Sequence, residues 1–307
     1  MGEQGGRGPH DPAGGSQREE KAGGLATVRS EEGACRLLQR YCWPDAKPLC
    51  PRCGHRRIYV LTEGRWRCAA CRYTFQMLTG RFAGQTGLAA RQWLRLVARF
   101  VSEQTTRTLA NELNLAYNTA YKAVTLIRLA ILAASLDGLA ILQSRLGPEL
   151  GFSGTSLRPV PQNAPLAAVP VFGLLERGGM VFADFLPSVT PEDLLHYHRH
   201  FSLPLAQLGG VVYSDRFRRY DTLLVCGSDI LAQGLVAIPG RCPAVEQQEK
   251  GFWPFATRRL ARYRGITSRK FPLYLKELEF RYNHRDEDLE PLVLEMLCAL
   301  VPGSCAI

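Results

Sequence analysis

Two closely spaced pairs of cysteines are the residues of this 307-residue chain that are best arranged for chemistry. Each pair has the form Cys-x-x-Cys, and two such pairs supply four thiolates to one tetrahedral Zn²⁺ ion, because each pair wraps one side of the metal. Four protein ligands leave no open coordination position, so the pattern predicts a structural rather than a catalytic zinc site. A disulfide pair or chance spacing is the alternative. The predicted ligands are Cys50, Cys53, Cys68 and Cys71.

Arginine is concentrated around these cysteines. Residues 58–61 and 65–68 have the composition of two strands and predict a hairpin that turns at Glu63-Gly64. Cationic side chains on such a small unit suit the phosphate backbone of DNA, although solvated arginines would give the same composition. The candidate DNA contacts in this region are Arg52, Arg56, Arg57 and Arg67.

A second chemically capable group is a carboxylate that follows a short apolar segment. Residues 211–213 are β-branched and aromatic and follow two glycines, so they predict a buried strand that ends near Asp215. Three arginines come soon after Asp215. A carboxylate at the end of a buried strand, beside positive charge, suits a metal ion and phosphate chemistry, but it also suits the N-cap of a helix.

The composition favours a protein that binds a polyanion. The net charge is +10, and nucleic acid is the first partner that this charge suggests, ahead of a membrane surface. No apolar run approaches the about 18 residues of a membrane helix, and the N-terminus lacks the apolar core of a signal peptide, so we expect no membrane partner. Residues 1–30 are rich in glycine, serine and charge, which predicts a disordered tail.

Residues 86–135 have the periodicity of helices, with an apolar stripe over residues 93–101. A short helix is then expected over residues 105–113, a turn at Asn114-Leu115, and a longer helix over residues 117–134. This order is typical of a helix-turn-helix unit, whose second helix enters a major groove, but a generic helical bundle has the same pattern. The candidate DNA contacts at the start of the longer helix are Tyr117, Asn118, Thr119, Tyr121 and Lys122.

A basic segment over residues 250–270 interleaves cations with aromatic side chains and contains no acidic residue. The alternation predicts a helix with one packed face and one cationic face suited to phosphates, or a solvated basic face. Residues 272–283 and 289–301 predict two closing helices. The candidate DNA contacts of the basic segment are Trp253, Arg258, Arg259 and Arg262.

These motifs, taken in order, resemble bacterial insertion-sequence transposases of the zinc-ribbon DDE class. The resemblance begins with Cys-Pro-x-Cys-Gly, Trp-x-Cys-x-x-Cys and the helix-turn-helix pattern, and it covers roughly residues 35–295. The later matching motifs are residues 169–179, residues 212–215 with Tyr220, Phe252-Trp253, Arg258, Gly265-Ile266 and residues 275–283.

The resemblance implies an RNase H-like domain in which three acidic residues hold two divalent ions, Mg²⁺ or Mn²⁺, for in-line phosphoryl transfer on DNA. Asp215 matches the second acid of the family. Glu149 stands where the family has its first acid, an aspartate. The third acid aligns with Lys250, and Glu249 is the neighbouring carboxylate.

Three hypotheses follow for the activity. In the first, the chain is an active metal-dependent transposase that uses Glu149, Asp215 and Glu249. In the second, it is a decayed or repurposed transposase that binds DNA without cutting it, because a lysine at the third position repels the metal ions. A zinc-ribbon transcription factor with an unrelated C-terminal domain is the third and weaker alternative.

The predicted fold is multidomain α+β, with an N-terminal zinc ribbon, a helical helix-turn-helix domain and a C-terminal RNase H-like α/β domain. The predicted bounds are a disordered tail at 1–30, the ribbon with its preceding helix at 31–80, the helix-turn-helix at 81–140 and the RNase H-like domain at 141–301. The expected partners are DNA at the element ends and the target, and a homo-oligomer on that DNA. The expected location is cytoplasmic and nucleoid-associated.

Overall fold

A computed structural model of the protein describes residues 25–45, 47–62, 64–144, 146–152, 171–186, 222–225, 251–263, 266 and 270–303. The helices in these segments are α1 (Glu31–Cys42), α2 (Ala90–Val101), α3 (Thr106–Glu112), α4 (Tyr117–Ala134), α5 (Gly138–Gln143), α6 (Leu146–Leu150), α7 (Phe252–Leu260), α8 (Phe271–Asn283) and α9 (Leu289–Cys298). The strands are β1 (Ile58–Val60), β2 (Trp66–Cys68), β3 (Thr74–Phe75), β4 (Val171–Arg177), β5 (Met180–Phe185) and β6 (Thr222–Val225).

Ser30 caps the start of helix α1. Its hydroxyl accepts a hydrogen bond from the Gly33 backbone N–H at 3.1 Å. Leu38 and Cys42 lie on its buried face. The helix ends at Cys42, shortly before Pro44, because the residue before a proline disfavours helical geometry.

The first sheet is antiparallel, with the strand order β1-β2-β3. Tyr59 of β1 lies opposite Arg67 of β2, and Trp66 of β2 lies opposite Phe75 of β3. The turn between β1 and β2 contains Gly64 with φ 70°, a left-handed conformation that glycine adopts readily. The predicted hairpin is confirmed. Strand β3 carries no sequence signal, because two residues are too few to show an alternating pattern.

Helices α2, α3 and α4 occur in the predicted order, and α4 has the predicted bounds. The Thr105 hydroxyl caps α3 by accepting from the Thr108 backbone N–H at 3.2 Å. Asn114 has φ 52°, and this left-handed residue lets the chain turn between α3 and α4. The Leu115 N–H then donates to the Ala110 carbonyl at 2.9 Å. A short helix, a tight turn and a longer helix are therefore present.

The second sheet has the order β5-β4-β6, and both pairings are antiparallel. Gly178 and Gly179 form the turn between β4 and β5 with φ values of 58° and 76°, left-handed values that a two-residue hairpin turn requires and that glycine adopts readily. The strand predicted at residues 211–213 lies outside the described residues. The RNase H-like domain therefore stays a prediction.

Helix α8 contacts the β4–β5 hairpin through the end of the motif at residues 275–283. The Tyr282 hydroxyl donates to Oε1 of Glu176 on β4 at 2.7 Å. The Asn283 amide makes two bonds to Val181 on β5: its Oδ1 accepts from the backbone N–H, and its Nδ2 donates to the carbonyl, both at 2.7 Å. These motif residues have structural partners within the chain.

The last helices return to the first part of the chain. Helix α8 contacts both α4 and β5, and α9 packs against α1, α2 and α4. The buried Arg81 guanidinium donates to the carbonyls of Cys42 on α1 and Cys298 on α9, and the Val301 N–H donates to Gly80 O at 2.8 Å. One hydrophobic core therefore includes elements from both ends of the described chain. The predicted domain bounds stay predictions.

Among the described residues, no helix is both long and apolar enough to span a lipid bilayer.

Candidate metal centre and nucleic-acid interface

The four predicted cysteine ligands come together in the ribbon, with their sulfurs all within 4.8 Å of one another. Cys50 and Cys71 are 3.6 Å apart at Sγ, Cys53 and Cys68 are also 3.6 Å apart, and Cys53 and Cys71 are 3.4 Å apart. A tetrahedral ion with Zn–S bonds of about 2.3 Å places its sulfurs about 3.8 Å apart. All four are free thiols, so the disulfide alternative does not hold. The donor set fits a structural Zn²⁺ ion.

The two cysteine pairs have the same backbone arrangement. Gly54 and Arg72 directly follow the second cysteine of each pair, and both have left-handed φ values, 69° and 58°. The Gly54 N–H donates to the Cys50 carbonyl at 2.9 Å, and the Arg72 N–H donates to the Cys68 carbonyl at 3.1 Å. The sequence indicates the first turn because glycine adopts positive φ freely, whereas arginine at the second turn gives no such signal.

Backbone N–H groups also point at the sulfurs. The Arg52 N–H donates to Cys50 Sγ at 3.4 Å. Burial disfavours the charged form of Cys68, but the N–H groups of Cys71 and Ala70, together with the thiols of Cys53 and Cys71, outweigh it and lower the pKa of this thiol to about 7. At Cys50 burial outweighs the N–H bonds and raises the pKa to about 12. Such bonds favour the thiolate, which is the form that binds a metal.

The ribbon's candidate DNA contacts are all exposed. The Arg57 guanidinium lies over the Tyr59 ring, 6.0 Å from its centroid. Arg56 pairs with Asp45 at 3.8 Å, and both side chains are more than half exposed, so this pair is weak and leaves the arginine accessible to an anion. The exposed set is Arg52, Arg56, Arg57 and Arg67.

The candidate DNA contacts at the start of α4 differ in exposure. Tyr117, Asn118 and Lys122 are exposed, whereas Thr119 and Tyr121 are half-buried. The Tyr117 and Tyr121 rings stack with centroids 6.2 Å apart. Lys270 donates from Nζ to the Tyr121 hydroxyl at 2.8 Å. Tyr121 therefore supports the exposed Tyr117 ring and also contacts the segment before α8.

A cavity of about 760 Å³ lies between the ribbon and α4; we call it the ribbon cleft. Arg52 and Tyr73 of the ribbon line it together with Lys122 of α4 and Lys270. Its described lining contains no aspartate or glutamate. Two regions that the sequence marks separately as basic therefore share one cationic cleft.

The basic segment folds in part as α7, and one carboxylate holds two of its cations. Arg259 donates from Nε to Glu103 Oε1 at 2.9 Å, and Arg262 donates from Nη1 to Glu103 Oε2 at 3.0 Å. Arg258 is exposed. Trp253 lies in α7, but its side chain is outside the described atoms. Glu103 thus offsets part of the positive charge of the predicted DNA-binding segment. It lies more than 150 residues before Arg259 and Arg262, so a local sequence pattern does not reveal this pairing.

The three candidate catalytic acids are not assembled within the described residues. Glu149 is exposed in the short helix α6. Asp215, Glu249 and Lys250 lie outside the described residues. Within the described part of the chain, the group of potential metal ligands that comes together is the four cysteines, and no carboxylate cluster there fits Mg²⁺ or Mn²⁺. The acidic triad stays a prediction.

Comparison with known proteins supports the resemblance at the N-terminal end. Residues 29–74 match the family model described as the transposase zinc-ribbon domain. A protein of Haemophilus influenzae described as an uncharacterized transposase-like protein is 30% identical over 122 residues, which are 38% of this chain and 92% of that relative. No solved structure matches the chain. With a four-cysteine ribbon, a matching ribbon model and a relative covered over nearly its whole length, this chain belongs to the family of transposase-like proteins.

Proposed function

We propose that this protein binds the DNA of an insertion sequence through its zinc ribbon and the start of α4. The ribbon cleft carries the proposal, because Arg52 and Lys122 line it without a carboxylate among its described lining. Cations placed in this way neutralise phosphates, and the release of DNA counterions drives binding. The partners are then the element ends, the target DNA and a second copy of the chain on that DNA. A cytoplasmic, nucleoid-associated location follows from the same proposal.

The candidate contacts divide by chemistry. The guanidinium groups of Arg56 and Arg57 and the ammonium group of Lys122 suit phosphate oxygens. Such contacts position the protein on DNA without reading its sequence. Asn118 is exposed in the first turn of α4, where a side-chain amide can make paired hydrogen bonds to adenine in a major groove. The helix-turn-helix assignment of α3 and α4 rests on this arrangement.

The binding proposal is tested by removing the two cations of the ribbon cleft. The variant Arg52→Gln/Lys122→Gln is compared with the zinc-loaded parent by fluorescence anisotropy on a labelled random-sequence duplex over a salt series. The slope of log K against log salt is about −0.9 for each phosphate contacted, so the loss of two contacts should make the slope less negative by about 1.8. Arg36→Gln is the matched control, because Arg36 is exposed on α1 and pairs only weakly with Glu32 at 3.5 Å. Equal slopes for all three proteins would contradict the proposal.

The proposed activity on bound DNA is metal-dependent strand cutting and joining, with Glu149, Asp215 and Glu249 as the carboxylates for Mg²⁺ or Mn²⁺. Family resemblance supports it. The alternative is DNA binding without cutting, which the lysine at position 250 supports, because a cation beside divalent ions costs free energy.

Strand transfer in vitro separates these two activities. The full zinc-loaded chain is incubated with DNA that carries the flanks of its own element, with Mg²⁺ or with Mn²⁺. Joined product that is absent with Asp215→Ala supports the active enzyme. Absence of product from protein that binds the same DNA supports the alternative, DNA binding without cutting. Product that persists with Asp215→Ala removes Asp215 from the mechanism.

A further inference from the structure

A second cavity, of about 830 Å³, lies beside the start of α4; we call it the tyrosine pocket. Tyr121 and Lys270 line both this pocket and the ribbon cleft. The pocket also reaches Tyr117, the first residue of α4, and Arg259 on α7. Its volume is in the range of about 300–1,000 Å³ that is typical of pockets for small ligands. The pocket therefore opens beside the start of α4, which we propose to contact DNA.

Aromatic rings form much of the pocket wall. Tyr117 is 52% exposed and stacks on Tyr121 with an angle of 22° between the ring planes. Tyr263 and Tyr274 meet edge to face, with centroids 5.1 Å apart. Burial, together with Glu277, raises the pKa of Tyr263 to about 12, so its hydroxyl stays protonated near neutral pH. The Tyr263 hydroxyl donates to Glu277 Oε1 at 3.4 Å, and the Arg128 guanidinium covers the Tyr274 ring. The half-exposed Tyr117 ring is therefore the flat face that the pocket offers for stacking.

The charge of the lining suits a phosphate. Six cationic side chains and two carboxylates line the pocket, an excess of four positive charges among its described residues. Glu277 is engaged by Arg128 and Arg281, and Glu103 is engaged by Arg259 and Arg262. Both carboxylates are thus already paired, and the remaining positive charge is available to an anion.

One hydrogen-bond acceptor in the pocket lining lacks a donor. The Oε1 atom of Gln104 is buried and has no hydrogen-bond partner within the described structure. Gln104 lies just before the Thr105 cap of α3 and belongs to the lining. A buried acceptor without a donor costs free energy, and rotation of the Gln104 side chain into the pocket would let an N–H group of a ligand relieve that cost. The exocyclic amino groups and ring N–H groups of nucleobases are such donors.

We propose that the tyrosine pocket receives one unpaired nucleotide of a DNA strand, with its base stacked on Tyr117 and its phosphate at the cationic rim. This inference rests on the proposed DNA binding. A paired base shows only its edge in a groove, so stacking on Tyr117 requires that the base leave the duplex. Stacking on aromatic side chains tolerates every base, because each base has a π-face. The pocket then selects DNA structure rather than DNA sequence.

The test compares three short duplexes of otherwise identical sequence on the zinc-loaded full chain. One is fully paired, one carries a single bulged adenine, and one carries an abasic bulge that bends the DNA without supplying a base. We expect the bulged adenine to bind about tenfold tighter than the other two, which is the order of magnitude of one base stacked on an aromatic ring. Equal affinity for the adenine and abasic bulges would overturn the inference.

Two tyrosine variants make the result specific to the pocket. Tyr117→Ala should abolish the preference for the bulged adenine, and Tyr117→Phe should retain it. Tyr59→Ala is the matched control, because Tyr59 is 51% exposed on β1 and lies outside the pocket. A preference that survives Tyr117→Ala, or that is lost with Tyr59→Ala, would contradict the assignment. Failure of the underlying DNA binding is distinguishable, since then none of the three duplexes binds.

Discussion

Arg128 of α4 donates through Nε to Oε2 of Glu277 on α8 at 2.6 Å, and both side chains are buried. Arg281 holds the other carboxylate oxygen of Glu277 at 2.8 Å and also donates to the Phe100 carbonyl near the end of α2 at 2.7 Å. The ring of Tyr274 lies under Arg128, 4.0 Å from its guanidinium carbon. This network fixes the proposed DNA-binding helix to the motif helix α8.

Removing Glu277 should destabilise the protein strongly. Glu277→Gln leaves two buried guanidinium groups without their carboxylate, and breaking a buried ion pair from one side costs about 3–5 kcal/mol. Urea unfolding measures the loss. Glu32→Gln is the control, because this exposed residue of α1 pairs with Arg36 and should change the free energy of unfolding by less than about 0.5 kcal/mol. A loss for Glu277→Gln no larger than that of the control would contradict the role of the network.

The same carboxylate predicts a dependence of stability on pH. Burial raises the pKa of Glu277, but Arg128 and Arg281 outweigh it and hold the pKa below its ordinary value of 4.5. The unfolded chain therefore binds this proton more readily, so the stabilisation is complete above that value and is lost as the pH falls through the lower pKa of the folded state. The free energy of unfolding, measured from neutral to acid pH, should fall more steeply for the parent than for Glu277→Gln. Parallel curves would show that Glu277 does not titrate in this way.

The zinc site should contain one ion and stabilise the ribbon. Cys53→Ser removes a thiolate, and a structural site with three remaining ligands loses most of its affinity, so bound zinc should fall from one equivalent towards zero. A colorimetric chelator assay on the denatured protein measures the metal. Cys35→Ser is the control, because Cys35 lies on α1 outside the cluster and should keep its zinc. Full zinc content in Cys53→Ser would remove this cysteine from the ligand set.

The amide of Asn283 should matter for the hairpin rather than for DNA. Asn283→Leu leaves the Val181 N–H and carbonyl without partners, and each lost bond to a buried group costs about 1–3 kcal/mol. We expect lower stability in urea but unchanged DNA affinity for the folded fraction. Asp286→Asn, at a side chain that is 89% exposed, is the control for stability. Reduced DNA affinity with unchanged stability would instead make Asn283 a DNA contact.

Local patterns in the sequence predicted the ribbon and the helices well. The spacing of the cysteines identifies the four zinc ligands, and apolar periodicity gives the bounds of α4. Both signals come from residues that are close together in the sequence. The ion pairs that connect distant elements carry no such signal. Arg128 is buried within α4 although its charge suggests an exposed position, since its partner Glu277 is 149 residues away.

The same limit applies to the candidate DNA contacts. The sequence marks Arg259 and Arg262 as cations in a segment without acids, but their shared partner Glu103 comes from the turn before α3. The ribbon cleft likewise depends on Arg52 and Lys122 lying on one cavity, a relationship that only the packed fold reveals. Side-chain types therefore indicate the class of ligand, whereas tertiary packing decides which side chains can reach it.

The central claim is that a zinc-dependent, cationic surface binds DNA, and the most direct test is the affinity of the full chain for duplex DNA across a salt series, before and after zinc removal. We expect log K to fall linearly with log salt when zinc is bound, with a slope of about −0.9 for each phosphate contacted. Removal of zinc should weaken binding and make the slope shallower, because the ribbon no longer presents Arg52 and its neighbouring arginines. Binding that is absent with zinc present, or that has the same slope without zinc, would contradict the account.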